Sequence, residues 1–326
     1  MTRRIVLTRR VLLFLLAATL SLPVHSQPDY PPSQIRFVVP FSPGGGTDVI
    51  MRLVAHHLGE AWKITALVEN RVGAAGVMGS HYVTTQAPDG RTFLAVASAF
   101  GVRSAIDRTV PYDVARDFTG VAQMARSPSF MVVSPEHGFK SLQDLVAYAK
   151  AQPLGVHYAS AGVGSTAHLH AAVVAQLAGI KAEHVAQRGT PEAVNDAMAG
   201  RVLYAFAPGP NAIPLAKSGK LQILATTSSA GHRFIAGVPT LAEAGLPGYE
   251  GDDWFGVFAP AGTPLAIRSR VASEISRILS LPEVREHLAT LGAEPAFMGP
   301  EEFAAFARQY VTDTRRLGEQ IGIQPQ

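Results

Sequence analysis

The sequence predicts an α/β fold of two lobes. Short apolar or β-branched runs alternate with segments of helical periodicity, which implies helices layered on sheets. Two of the strand–helix junctions, SPGGGTD (Ser42–Asp48) and SAGVGSTAH (Ser160–His168), carry the same glycine-rich turn, one for each lobe. The chain is 326 residues long and 47% apolar, so it has length and core material for two medium domains and is not disordered.

The first 26 residues stand apart. MTRRIVLTRR is positive, Val11 to Leu22 is apolar, and VHS ends with Val24 and Ser26 at the −3 and −1 positions of a cleavage site at Ser26–Gln27. This is the pattern of a secretory signal peptide. Its apolar stretch, about 12 residues, is too short to span a bilayer. No cysteine is present for a lipid anchor, so the mature chain is expected free in the periplasm.

Ile35–Pro40 reads as a buried parallel strand. After SPGGGTD, Val49, Ile50, Leu53, Val54 and Leu58 share one helix face, with Thr47 or Asp48 as the expected N-cap. Ala66–Glu69 is a strand, GAAGVMGSHYVTTQA a helix, Pro88–Gly90 a turn and Thr92–Ala97 a strand. Val121–Met124 and Phe130–Val133 read as separate strand-like runs on either side of Ser127-Pro128. Ser141–Lys150 is a capped helix, Val156–Ser160 a strand, and AGVGSTAHLHAAVVAQLAG a glycine turn into a helix. Glu183–Val185, Arg201–Phe206, Leu221–Thr226 and Trp254–Phe258 complete the strands, and Pro191–Ala199 is a helix between the first two. Asp252-Asp253 is expected to be loop before the last strand. Pro264–Leu279, Pro282–Leu291 and Pro300–Leu317 are helices, each proline placed at the first helical position.

The charge pattern excludes one class of partner. Lys and Arg total 28 against 25 Asp and Glu, a net charge of +3. Arg3, Arg4, Arg9 and Arg10 belong to the signal segment; without them the net charge is −1. Nucleic-acid binding needs clustered cations to release counterions, and no such stripe follows. The absence of cysteine removes disulfides, thiolate metal sites and cysteine nucleophiles together. His56–His57 and His168/His170 lack a spacing that shares a metal, and no Gly-x-Ser-x-Gly elbow is present, so neither a cofactor nor an enzyme is expected.

The two glycine junctions carry the chemistry. Glycines let backbone N–H groups approach an anion, and each junction opens a helix whose N-terminus favours negative charge. The first lacks the Gly-Lys-Ser/Thr of a nucleotide loop. The second adds the hydroxyls of Ser160, Ser165 and Thr166. A turn with no ligand explains either alone; the matched pair reads as two halves of a carboxylate clamp.

These stretches resemble the Bug (TctC) family of periplasmic substrate-binding proteins, which serve tripartite tricarboxylate transporters. The resemblance runs from Tyr30 nearly to the C-terminus and is carried by YPPSQIRFVVPFSPGGGTDVIMRLVA, LVENRVGAAGVMGS, APDGRTFLAVAS, VPYDVARDFTGVA, HYASAGVGSTAHL, GVPTLAEAGLPGYE, WFGVFAPAGTP and LPEVREHLATLGAEP. It implies a type II periplasmic-binding-protein (Venus-flytrap) fold, each lobe a mixed sheet flanked by helices. Lobe I would be residues 27–128 and 253–326 and lobe II residues 129–252, with hinge strands near 128–133 and 254–258. It also implies a small organic carboxylate held by Phe41, Pro43, Gly44, Gly46, Thr47, Asp48 and Ser98 from one lobe and Ser160, Ala161, Gly164, Ser165 and Thr166 from the other. The chain would act as a monomer that delivers its ligand to the transporter's membrane subunits; the alternative is a sensory module read by a sensor kinase.

The departures fall where the distal end of a ligand would sit. Gln187 and Arg188 replace the usual Tyr-Lys, Arg103 stands where Asn is common, and Leu203 and Ala207 replace two acids around Phe206. A missing acid at Ala207 motivates the expectation that the ligand lacks an amine. Arg188 or Arg103 would then neutralise a distal carboxylate.

Overall fold

The computed structural model describes residues 30–320; the signal segment lies outside the described residues. Strand β1 (Gln34–Val39) is followed by α1 (Gly46–Trp62), β2 (Thr65–Asn70), α2 (Val77–Thr84), β3 (Thr92–Ala97) and α3 (Ala99–Ile106). Parallel pairing of β1 with β2 and β3 places both crossover helices against one sheet. This sheet is completed from the far end of the chain. β9 (Asp252–Pro260) inserts antiparallel between β3 and β4 (Phe118–Val133), and β10 (Glu294–Met298) pairs with β4.

The second sheet uses the other end of β4. Residues 129–133 of that strand pair antiparallel with β7 (Tyr204–Pro208) and β8 (Gln222–Thr226). β5 (Val156–Ser160) joins β7 and β6 (Ala182–Ala186) in parallel. Helices α4 (Leu142–Lys150), α5 (Thr166–Ala178), α6 (Thr190–Met198) and α7 (Gly209–Lys217) belong to this half. The chain then returns through α8 (Leu265–Leu279), α9 (Pro282–Thr290) and α10 (Pro300–Gln320). The architecture is mixed α/β with helices flanking each sheet half, as the alternating pattern predicts.

The apolar interior falls into several clusters, one of which spans both halves. Val38, Leu94, Phe100, Phe118, Trp254, Phe258 and Phe303 cluster in the first half. Phe258 and Phe303 have ring centroids 4.7 Å apart, and Phe118 meets Phe100 edge-on at 5.2 Å. Such pairs add about 0.5–1.5 kcal/mol beyond the area they bury. Phe130, Val132, Ala205, Ala207 and Ile213 form a cluster of the second half, and Met131, Tyr158, Tyr204 and Phe206 pack in another together with Val102, Ala105 and Ile106 of α3.

Several expectations need correction. The two runs around Ser127-Pro128 form one continuous strand. Proline is tolerated there because Pro128 pairs with Asp252, the first residue of β9, where β4 changes partners and a ladder N–H is not required. Helix α1 is capped by Gly45, not Thr47 or Asp48, which lie inside its first turn. Pro264 is the N-cap of α8 and stands one residue before the helix, while Pro282 does occupy the first turn of α9. Asp252 and Asp253 are not loop; they open β9. The sequence pattern does not predict helices α3 and α7 or strand β10. Gly101 lies within α3, Pro210 and Pro214 lie within α7, and β10 is a short edge strand with no run of buried residues.

Candidate ligand-binding site

The first loop is shaped by Asp48. Gly44 takes a left-handed backbone, φ +78°, and its N–H donates to Asp48 Oδ2 at 2.9 Å. Arg52 Nε donates to the same oxygen at 3.0 Å. Asn70 Nδ2 donates both to Asp48 Oδ1 and to the carbonyl of Phe41. Burial pushes the Asp48 carboxyl up, but the bonds from Arg52, Gly44 and Asn70 outweigh it and hold the group below the usual aspartate range. Asp48 therefore fixes the loop from behind, and the front of the loop is backbone.

The second loop is built differently. Gly162 and Gly164 have φ of +111° and +77°. Ser165 caps α5 by accepting the N–H of His168. Ser160 is fully buried, and its Oγ donates to Gly162 O and lies 2.6 Å from His184 Nε2. It supports the turn and does not face open space. His168 Nδ1 accepts the Gly164 N–H at 3.2 Å, and its ring stacks on His184 at 4.1 Å between centroids.

These imidazoles make the fold acid-sensitive. His168, His170 and His184 are each pushed down to about 4, burial being the main cause in all three. The neighbouring His184 and Arg103 lower His168 further, whereas Asp253 partly opposes the shift at His170. In the unfolded chain the same groups titrate near 6.5, so between these values the unfolded state binds more protons. Stability is then complete above pH 6.5 and falls as pH drops toward 4. Melting temperatures followed by circular dichroism should decline across that window. The slope should be shallower in His168→Asn/His184→Asn, with His170 and the carboxyls held below their usual range, such as Asp48, supplying the remainder.

The two loops meet at one cavity of about 50 Å³. Phe41, Ser42, Gly45, Gly46 and Thr47 line it from the first loop, Ala161, Ser165 and Thr166 from the second. The other walls are Ala97, Ala99, Ser129, Ala167, Thr190, Pro191, Pro208, Asp253 and Phe255. Five helices begin here. Gly46 opens α1, Ala99 α3, Thr166 α5 and Thr190 α6, while Pro208 caps α7. The leading N–H groups of a helix have no partner within it, and its N-terminus carries a partial positive charge. No Lys or Arg lines the cavity, so the helix N-termini are its source of positive charge, set against the Asp253 carboxylate in the same wall.

A hydroxyl chain in the wall of this cavity, with Ser98 behind it, ties the two halves. Ser98 Oγ donates to Asp253 Oδ1, and Ser129 Oγ donates to Asp253 Oδ2 at 2.6 Å. Because the Ser98 proton is committed to Asp253, Thr166 Oγ1 donates to Ser98 at 2.8 Å. Ser98 follows β3 and Thr166 opens α5, so the bond joins opposite halves. Asn211 Nδ2 to Gly44 O, 3.1 Å, and Arg103 Nη1 to Val163 O, 2.7 Å, also cross.

The expected site residues therefore separate into groups. Phe41, Gly46, Thr47, Ala161, Ser165 and Thr166 line the inner cavity. Asp48, Ser98 and Ser160 stand behind it and hold its walls. Pro43 and Gly44 are exposed on the outer side of the loop, and Gly164 donates to His168. Gln187 and Arg188 line a second, wider space of about 800 Å³, termed the mouth, that adjoins the cavity at Ser42. Gln187 is bound to Asp196, and Arg103, also in the mouth, is paired with Asp107. Ala207 and Leu203 lie in the apolar interior. The absence of an acid at those positions thus gives no information about an amine. Two carboxylates stand at the site instead, Asp253 in the cavity and Glu192 in the mouth. Among the described residues no group of three or more His, Asp or Glu is placed to hold a metal. No described helix is long and apolar enough to cross a membrane.

Residues 50–323 match the TctC family, described as the tripartite tricarboxylate transporter family receptor. The chain belongs to this family. Protein BugT of Bordetella pertussis is 32% identical over 296 residues, 90% of either chain. The structure of R. palustris Rpa4515 with adipate superposes with a TM-score of 0.88 at 31% identity, covering 91% of this chain and all of that one. MatC from Rhodopseudomonas palustris with bound malate gives 0.83 at 28% identity, covering 88% of this chain and 99% of its own. TctC proteins are periplasmic solute receptors, and the two glycine junctions of this member are the walls of its inner cavity.

Proposed function

We propose that the protein captures a small organic carboxylate between its two glycine loops and delivers it to the membrane subunits of a tripartite transporter. The observation that carries this reading is the convergence of five helix N-termini on one cavity that no cationic side chain lines. Such a site takes an anion by its oxygens. The size of the cavity refines the reading. An engineered cavity of about 150 Å³ holds benzene, so about 50 Å³ admits a carboxyl group and leaves the rest of the acid in the mouth. Two TctC-like neighbours, solved with adipate and with malate, agree with a carboxylate ligand.

In this reading residues 1–26 are a signal peptide cut at Ser26–Gln27, and the mature chain works in the periplasm as a monomer. Residues 27–128 with 253–326 form one lobe and residues 129–252 the other, turning about strands near 128–133 and 254–258. The change of partners of β4 at Pro128 supports that division. Ligand contacts made only when the lobes are together shift the population to the closed form.

A thermal-shift screen of the mature protein against mono-, di- and tricarboxylates tests the proposal. A ligand at 100 times its Kd stabilises by about 2.7 kcal/mol, and each kcal/mol raises the melting temperature by about 2–4 °C in a protein of this size class. At least one acid should give such a shift. A broad panel that leaves melting unchanged would overturn the reading.

A further inference from the structure

Ser42 lines both the inner cavity and the mouth, and its hydroxyl donates to Glu192 Oε1 at 3.0 Å. The bond connects the first glycine loop to the first turn of α6, so it spans the cleft between the two sheet halves. Glu192 therefore stands in the mouth beside Ser42, the residue that the mouth shares with the cavity. The second carboxylate oxygen, Oε2, is buried and has no hydrogen-bond partner within the protein. A buried acceptor without a donor is costly, and a carboxylate oxygen more so than a neutral one. The space for this pair is kept by Gly189, where a Cβ would lie 2.7 Å from Ser42 Oγ and 3.1 Å from Glu192 Oε2. The other polar groups of the mouth are committed or distant in role: Arg103 to Val163 and Asp107, Gln187 to Asp196. Arg188 is exposed there and makes no ion pair among the described residues.

We infer that Glu192 selects for a hydrogen-bond donor on the ligand, placed on the carbon beside the carboxylate held in the inner cavity. The inference rests on the carboxylate reading above. A hydroxyl or an ammonium at that carbon donates to Oε2 as the lobes close, and Arg188 faces the far carboxylate of the same molecule. The ligand class is a short dicarboxylic acid bearing a 2-hydroxyl or 2-amino group. An acid without the donor enters the same cavity but leaves Glu192 unpaired in the closed form. Sites built to pair with a polar group reject analogues that lack it far more strongly than sites that only measure size.

Calorimetric titration of the mature protein with succinate and glutarate, each beside its 2-hydroxy and 2-amino counterpart, tests this directly. The donor-bearing member of at least one series should bind about tenfold or more tightly than the plain acid. In Glu192→Ala that ratio should fall to about one. Loss of the Ser42 bond weakens all the acids together, so the ratio is read and not the affinity. Glu192→Gln keeps a carbonyl acceptor without the charge. It should retain the preference for a hydroxyl and lose that for an ammonium, which tells the two donors apart. It also serves if the alanine variant does not fold. If the wild type binds these acids with no preference for a donor, or if the preference survives in Glu192→Ala, the inference falls and the carboxylate site stands. If neither these acids nor the wider panel bind, the carboxylate site falls as well.

Discussion

Replacing Gly46 by valine is expected to abolish carboxylate binding while the fold remains. Gly46 is the first residue of α1 and its backbone is not in the left-handed region, so a side chain is tolerated by the helix. The difficulty is where the side chain would go. A Cβ built on Gly46 lies 3.2 Å from two ring atoms of Phe255 and 3.4 Å from Pro208 Cγ. All three residues line the inner cavity, so the branched carbons of valine would occupy the space assigned to the carboxyl group. Affinity should drop by more than 100-fold, equivalent to about 2.7 kcal/mol or more. Titration with the best acid from the screen measures the loss, and the circular dichroism spectrum should be unchanged. Wild-type affinity in this variant would mean that the loop is a turn and nothing else.

Gly209→Ala should produce the largest loss of stability from a single methyl group. A Cβ at Gly209 would lie 2.1 Å from Gly292 O and 2.7 Å from Gly292 Cα, and Gly292 itself has φ of +73°. One hydroxyl holds this seam. Ser127 Oγ accepts the N–H of Gly209 at 2.7 Å and donates to Gly292 O at 2.8 Å. The added methyl must push Gly292 away, which costs about 1–3 kcal/mol in overpacking. It also strains the bonds to a buried hydroxyl, at about another 1–3 kcal/mol if one is lost. The melting temperature should fall by roughly 5–10 °C. Scanning calorimetry reads this directly, and a melting temperature within a degree of the wild type would show that the seam is not tight.

Much of the fold is legible because its strands are short, apolar and bounded by turn residues. β3 and β5 fall where the alternation places them, and α4 begins at the Ser141 capping box. The two glycine junctions are legible for a related reason: a run of glycines before a helical pattern has few other uses. What could not be read depended on contacts distant in sequence. Gly101 looks like a break in a helix until Tyr310 is seen 2.7 Å from its would-be Cβ. Pro210 and Pro214 hide α7, although its capped end helps to line the inner cavity. Asp253 reads as loop because nothing local shows that Ser98 and Ser129 will meet it. Ala207 misleads in the opposite direction, since a position that looks like cleft by its neighbours in sequence is core by its register opposite Phe130.

The long strand β4 and the late insertion of β9 set an order of assembly. All the strands of the second sheet, β4 to β8, lie between residues 118 and 226 and can pair as the chain is made. The first sheet cannot close in that time, because β9 and β10, at residues 252–260 and 294–298, come from the end of the chain. Until β9 arrives, β3 presents an open edge whose N–H and C=O groups have no partner on that side, and open edges recruit other strands. A chain cut short before residue 252 would hold every strand of its second sheet but would lack β9 and β10 of the first, and the α10 residues Tyr310, Val311 and Leu317 that pack on the shared core. The discontinuity that lets one strand serve both sheets therefore also makes the last quarter of the protein a condition for its solubility.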